Sequence, residues 1–341
     1  MNPDFRKILG SAEYDFLRNH NRFGHRIMLL GLSGSYGYGT NREDSDVDFR
    51  GVAMQKPSDI LGLTEFEQYT DTETDTVIYG FSKLVKLLLD CNPNCCEILG
   101  LPEDKYMILS PLGRELLENQ SLFLSRRAVQ SFGGYAGAQL RRLQNAIARD
   151  SLPQAEREKH ILGSVQNALD DFNRRNPRAG SGTIRLYIDR AVTPEMDTEI
   201  FVDADYRHLP LRDFNSMLDT LRCVVRDYDK IGHRNHKKDE NHLNKHAMHL
   251  VRLLMTGIDL LEKHRIITCR QEELPLLMKI RNGGFMAGDG TMTPEFYEIL
   301  DCYEHRFREA ARITTLPDQP DMEKVGAFVE KINRHAVMED Y

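Results

Sequence analysis

At 341 residues the chain exceeds what one compact core usually reaches, so two domains plus extensions are expected. With 40% hydrophobic and 28% charged residues it has the make-up of a folded globular protein and is too apolar for a disordered one. The longest apolar runs, Ile27-Met28-Leu29-Leu30 and Ile98-Leu99-Gly100-Leu101, fall far short of the roughly 20 residues of a membrane span. No basic, greasy leader opens the chain, and the six cysteines form no CxxC pair, so reduced thiols and a cytoplasmic location without membrane contact are expected.

The net charge of −7 is unevenly spread. Residues 1–110 carry 11 basic against 17 acidic side chains, residues 111–312 carry 31 against 29, and residues 313–341 carry 3 against 6. An acidic first third beside a slightly basic middle suits a site with cations on one wall and phosphates on the other. The acidic total argues against a general nucleic-acid coat.

In chain order, Asn2-Pro3 reads as a helix start, with Phe5, Ile8 and Leu9 as its apolar stripe. Arg26 to Leu32 reads as a buried strand that stops at glycines. A second strand holds Val47, Phe49 and Val52, and a third spans Thr76 to Phe81. A helix begins at Ser82 with Leu84, Val85, Leu87 and Leu88 on its core side. Asn92-Pro93 then caps a helix from Cys95 to Leu99. Beyond about residue 111 the apolar period becomes helical: Ile161 to Phe172, Leu211 to Val225, and a long segment from Glu240 to His264. Ile184, Leu186 and Ile188 face Ile200-Phe201-Val202 as a short strand pair. Pro317 and Pro320 precede a last helix, Met322 to His335. The expected architecture is a small α/β domain over residues 1–110, a helical domain over 111–312 and a linker, helix and tail over 313–341.

One stretch carries chemistry: Gly31-Leu32-Ser33-Gly34-Ser35-Tyr36-Gly37-Tyr38-Gly39, followed by Ser45-Asp46-Val47-Asp48. Closely spaced glycines after a strand let backbone approach an anion, with amide hydrogens and the Ser35 hydroxyl free to donate. On a strand, residues i and i+2 share a face, so Asp46 and Asp48 converge while Val47 and Phe49 enter the core. Two neighbouring carboxylates repel each other unless a divalent cation lies between them, and Mg²⁺ with phosphate oxygens suits such a pair. No Gly-Lys-Ser/Thr follows, so this is not a Walker loop, and it does not match a dinucleotide fingerprint. A third carboxylate is open among Asp71, Glu73 and Asp75, which alternate with threonines and would share one strand face.

The Gly-Ser turn followed by Asp-x-Asp resembles the signature of the DNA polymerase β-like nucleotidyltransferase superfamily, in its stand-alone bacterial and phage branch. The likeness continues through Asn92-Pro93 and Glu97-Ile98-Leu99, Lys245, His249 and Arg252-Leu253-Leu254, and Ile280-Arg281-Asn282-Gly283. In size and architecture the chain is also similar to the nucleotidyltransferase of the Hailong anti-phage system. The resemblance implies an α/β (α+β) fold: a small polymerase β-like palm sheet with flanking helices and an all-helical second domain. It implies an enzyme that moves a nucleoside monophosphate from an NTP or dNTP to a hydroxyl, without a template. Asp46 and Asp48 would hold two Mg²⁺ ions, which Mn²⁺ can replace. Asp75, four residues before an aromatic, would be the third ligand, with Glu73 as substitute. Gly34 and Ser35 would grip the β and γ phosphates.

Lys245, His249 and Arg252 fall at i, i+4 and i+7 on one helix face. With the resemblance they form the basic wall opposite the carboxylates, and Arg281 is a candidate of the same kind. His233, His236, His242, His246 and His249 do not read as a zinc site, since no cysteine is near and Lys237, Lys238 and Lys245 oppose a cation. Arg141, Arg142, Arg174, Arg175 and Arg178 read as salt-bridge partners more than as a nucleic-acid track. Tyr341, with the Hailong likeness, is the acceptor candidate for self-primed synthesis. The rival acceptors are tRNA, a partner protein or a small molecule, and the rival class is a nucleotide-binding regulator without turnover. An effector protein and a second copy of the chain are the candidate macromolecular partners.

Overall fold

The computed structural model describes residues 3–151, 183–190, 192, 198–205, 209–215, 218–219, 222 and 240–338. The helical pattern read at 161–172 lies outside these residues, as do positions 216–217, 220–221 and 223–225 of the pattern at 211–225 and His233, His236, Arg174, Arg175, Arg178 and Tyr341.

The first third folds around a mixed five-stranded sheet in the order β3-β4-β2-β1-β5. Its strands are β1 (Ile27–Leu32), β2 (Phe49–Ala53), β3 (Gln68–Asp71), β4 (Thr76–Gly80) and β5 (Tyr106–Leu109). All six residues of β1 are buried, which explains why it reads as a continuous apolar run without alternation. β1 pairs antiparallel with β2 and β5, whereas β2 and β4 run parallel. The sheet's core holds Phe23, Leu30, Leu32, Phe49 and Ile78, all at most 1% exposed, with Tyr14 edge-on to Phe49. Burying one such side chain contributes roughly 1.5–3 kcal/mol.

The helices of this region are short: α1 (Phe5–Leu9), α2 (Phe16–Asn19), α3 (Gly34–Tyr38), α4 (Pro57–Ile60), α5 (Phe81–Leu89), α6 (Pro93–Cys96) and α7 (Pro111–Glu118). Asp4 rather than Asn2 caps α1, accepting from the Lys7 amide at 3.2 Å. Asn92 caps α6 as its sequence suggests, with Pro93 in the first turn, but α6 gives way to a tighter 3₁₀ turn at Glu97–Leu99. Further helices follow, all but α10 longer: α8 (Arg127–Ser151), α9 (Glu240–Lys263), α10 (Leu274–Arg281), α11 (Pro294–Ile313) and α12 (Met322–Met338). The strand pair expected in the middle of the chain forms as β6 (Thr183–Arg190) and β7 (Thr198–Asp205), with Leu186 opposite Val202 and Ile188 opposite Ile200. No helix among the described residues is long and apolar enough to cross a membrane.

Two compact units result. One comprises residues 1–139, 247–285 and 294–341; the other comprises 140–246 and 286–293. The boundaries read from the sequence at 110 and 312 fall inside the first unit. The last helix shows why: Phe328 of α12 lies 6.3 Å from Phe81 and 6.1 Å from Phe123, so the chain's end packs with its beginning.

Candidate active site

β1 ends at Leu32, and the chain turns into α3 through Ser33 in extended conformation. Gly34 then adopts φ +55°, a left-handed value that side chains rarely take. Gly39 closes α3 with φ +71°, donating its amide to the Ser35 and Tyr36 carbonyls. The Ser33 hydroxyl does not cap α3. Thr40, fully buried just beyond, has a hydroxyl without a hydrogen-bond partner among the described residues.

Gly34 is needed for a second reason. A Cβ on this residue would stand 2.2 Å from Oδ2 of Asp48, inside any allowed contact. The Asp48 carboxylate therefore rests directly on the Gly34 backbone, and the Ser33 amide donates to the Asp48 carbonyl at 2.8 Å. The pairing of β1 with β2 thus continues one step past Leu32–Phe49 and joins the glycine turn to the acid.

Asp46 and Asp48 do not lie within a strand as expected but in the lead-in to β2, which starts at Phe49. The alternation nevertheless holds in packing terms. Val47 and Phe49 join the core cluster, while Asp48 is half-buried and Asp46 exposed. Charge crowding near the pair is visible at Tyr14. Burial raises the pKa of its phenol most, and the negative charges of Glu13, Asp71 and Asp48 raise it further.

The acids after Tyr69 require a correction. Asp71, Glu73 and Asp75 do not alternate along one strand; β3 ends at Asp71, and residues 72–75 form the turn into antiparallel β4. Asp71 stabilises that turn by accepting from the Thr74 amide at 2.9 Å and its hydroxyl at 2.8 Å. Glu73 is exposed at the tip. Asp75 takes φ +44°, and its carboxylate lies 3.3 Å from the Arg50 guanidinium. The parallel register sets Phe49 against Thr76, so Asp48 and Asp75 precede paired residues at the same end of neighbouring strands. Among the described residues, no three His, Cys, Asp or Glu side chains are gathered closely enough to hold a metal ion.

Two of the basic candidates on α9 come together. Arg252 is buried, with one nitrogen 2.7 Å from Nδ1 of His249 and its guanidinium 3.5 Å above the Tyr38 ring. Lys245, on the same helix, is exposed. Arg281 on α10 is also buried. Its pKa is lowered by burial and then by Arg42, with Asp44 opposing, so it adjoins the loop that precedes Asp46.

A residue without an assigned role in the sequence reading links these parts. Glu97 accepts from the Ser33 hydroxyl at 3.0 Å and from the Tyr38 hydroxyl. It therefore holds α3 from both sides, by the residue before its start and by its last residue. Burial and then the Glu97 charge raise the Tyr38 pKa strongly. The Cys269 thiol adds a contact to the Gly37 carbonyl at 3.3 Å. In the sequence, Glu97 stands out only as part of the Asn92-Pro93 … Glu97-Ile98-Leu99 likeness, which gives it no role.

Glu97→Ala is expected to cost about 1–3 kcal/mol of stability, because it strands a buried phenol, and Tyr38→Phe about 1 kcal/mol. Urea denaturation of both variants and the double variant should show a coupling of about 1 kcal/mol. Strict additivity would show that the two side chains act independently.

Residues 11–156 match the RlaP family, described as the RNA repair pathway DNA polymerase beta family. The matched span contains the glycine turn, Asp46, Asp48, Asp75 and Glu97, and supports a polymerase β-like nucleotidyltransferase in this part of the chain. No curated protein and no solved structure matches the chain. The family match does not bear on the likeness to the Hailong nucleotidyltransferase.

Proposed function

We propose that this protein transfers a nucleoside monophosphate from an NTP or dNTP to a hydroxyl acceptor and releases pyrophosphate. The observation that carries the reading is the Asp48 carboxylate seated on the Gly34 backbone, which brings an acid to a glycine turn that opens a helix. Two carboxylates with room for phosphate and water oxygens are the donor chemistry that Mg²⁺ prefers. Asp46 and Asp48 would hold such ions, Mg²⁺ or Mn²⁺, with phosphate and water oxygens completing their shells. Bound there, the ions would lower the pKa of the acceptor hydroxyl and neutralise charge on the triphosphate and departing pyrophosphate.

The protein's own part is positioning. Gly34 and Ser35 grip the β and γ phosphates through amides and a hydroxyl. Arg252, His249 and Arg281 supply the basic wall. The acceptor oxygen attacks the α-phosphorus in line, the bond to the bridging oxygen breaks, and the pyrophosphate leaves.

The test is a turnover screen over ribo- and deoxyribonucleoside triphosphates with Mg²⁺, read by pyrophosphate release and intact-protein mass. Release in every productive arm is expected to vanish on chelation with EDTA. Because of the matched family's description, RNA is the first external acceptor to add. A mass gain on the protein without added acceptor assigns the acceptor to the chain itself, Tyr341 among its hydroxyls, with anti-phage defence as the matching role. Nucleotide binding without pyrophosphate release under all conditions rejects the enzyme in favour of a nucleotide-binding regulator.

A further inference from the structure

We propose that the sheet unit carries a second anion site, specific for phosphate groups, at the end of the sheet opposite the glycine turn. The strand geometry separates the two places. β1 runs from Ile27 to Leu32 and delivers Gly34 and Asp48 at its far end; its near end is joined to β2 by the Met54 amide donating to the Arg26 carbonyl at 2.9 Å. The six residues of β1 set the two ends about 20 Å apart, at about 3.3 Å per residue. A triphosphate held at Gly34 does not reach the second place.

At that near end lies a cleft of about 830 Å³ formed by residues 18–26 and 54–58. Arg18, His20, Arg22, His25, Arg26 and Lys56 line it, and no carboxylate residue does. In a chain with a net charge of −7, this is a pronounced local reversal. The cations are held in place rather than swept about by solvent. The Arg22 guanidinium lies 2.6 Å from Asp59, whose side chain is fully covered, and Arg26 donates to the Gln55 carbonyl at 3.1 Å. Arg18 is tied to the Leu9 carbonyl and to Asp15. Lys56 and His25 make no ion pair among the described residues. The Lys56 ammonium is available to a ligand.

The positive charges converge. His20 has its pKa lowered, first by burial and then by Arg22 and Lys56, so both cations act on one point of the cleft wall. Asn19 and Asn21 add neutral hydrogen-bond donors on the same rim. Fixed guanidinium forks with an ammonium and amides suit phosphate oxygens spread along a cleft; a single carboxylate would satisfy only one of them. The phosphates have two chemical sources, the backbone of a nucleic-acid strand or a free polyphosphate.

The experiment reads binding, not turnover, and so stands or falls separately from the nucleotidyltransferase reading. Fluorescence anisotropy with a labelled 12-nucleotide single-stranded RNA, and calorimetry with inorganic tripolyphosphate, are run on the full chain. Wild type is compared with the double variant His25→Glu, Lys56→Glu, whose targets make no ion pair, and circular dichroism verifies its fold. At 150 mM salt the variant is expected to bind at least one of these probes tenfold more weakly, with a shallower salt dependence. Weakening for RNA alone identifies a strand as the source; weakening for both probes, or for tripolyphosphate alone, identifies the free polyphosphate. Unchanged binding of both probes overturns the proposal. As a check that needs no variant, at least one of the two probes should raise the His20 titration midpoint seen by NMR, and a midpoint unmoved by both also overturns the proposal.

Discussion

Replacing Gly34 by alanine is expected to lower nucleotidyl transfer by about 10²–10³-fold while leaving the sheet core folded. Two costs meet at this atom. The backbone there has φ +55°, which disfavours an L side chain by roughly 1–2 kcal/mol. The new methyl would also lie 2.2 Å from Oδ2 of Asp48, so the carboxylate must leave its place. An acid displaced by about 1 Å no longer meets the reacting groups, and misplacement of that size costs about 100-fold in rate. The core cluster around Phe49 and Leu30 does not touch the change, so the melting temperature should fall by only a few degrees. Pyrophosphate release and a thermal melt on the same preparation test this. A variant that keeps its rate within threefold would show that the Asp48 position against Gly34 is irrelevant to the chemistry.

The second large effect concerns the acids themselves. Asp46→Asn and Asp48→Asn are each expected to cut turnover by about 10³-fold or more, since a neutral amide holds Mg²⁺ poorly. Stability should move the other way or not at all. Neighbouring carboxylates without a cation repel one another, so removing one charge relieves the apo protein. The combined signature distinguishes a functional acid from a structural one: lost rate, unchanged or higher melting temperature, and loss of the Mg²⁺-triphosphate thermal shift. If Asp48→Asn instead unfolds the sheet unit, Asp48 serves the fold through its contact with Gly34 and the catalytic assignment fails.

Glu97 belongs to a different category. It fastens Ser33 and Tyr38 on either side of the glycine turn. Arg252 stacks on the same tyrosine from a helix late in the chain. The rigid element that presents Gly34 is thus held by groups far away in sequence. This explains how a five-residue helix, too short to be stable on its own, keeps one conformation.

What the sequence by itself determined is local. The β1 run, the glycine turn, the in-and-out alternation from Asp46 to Phe49 and the Asn92-Pro93 cap all rest on spacing within a dozen residues, where side-chain period and backbone freedom act directly. The β6–β7 pair was legible for the same reason, since the two apolar runs lie about a dozen residues apart, while its register came from the structure. The polymerase β-like character followed from that one block of residues. What only the tertiary structure decided involves distant partners. The threonine-alternating acids look like one strand, but a hairpin closed by Asp71 divides them and turns Asp75 toward Arg50, because antiparallel pairing to β4 outweighs local alternation. Glu97 reaches Ser33 across 64 residues, and no periodicity encodes such a contact. The union of the last helix with the first domain depends on where Phe328 finds apolar surface to cover, and burial of that kind is set by the assembled core, not by the order of residues along the chain.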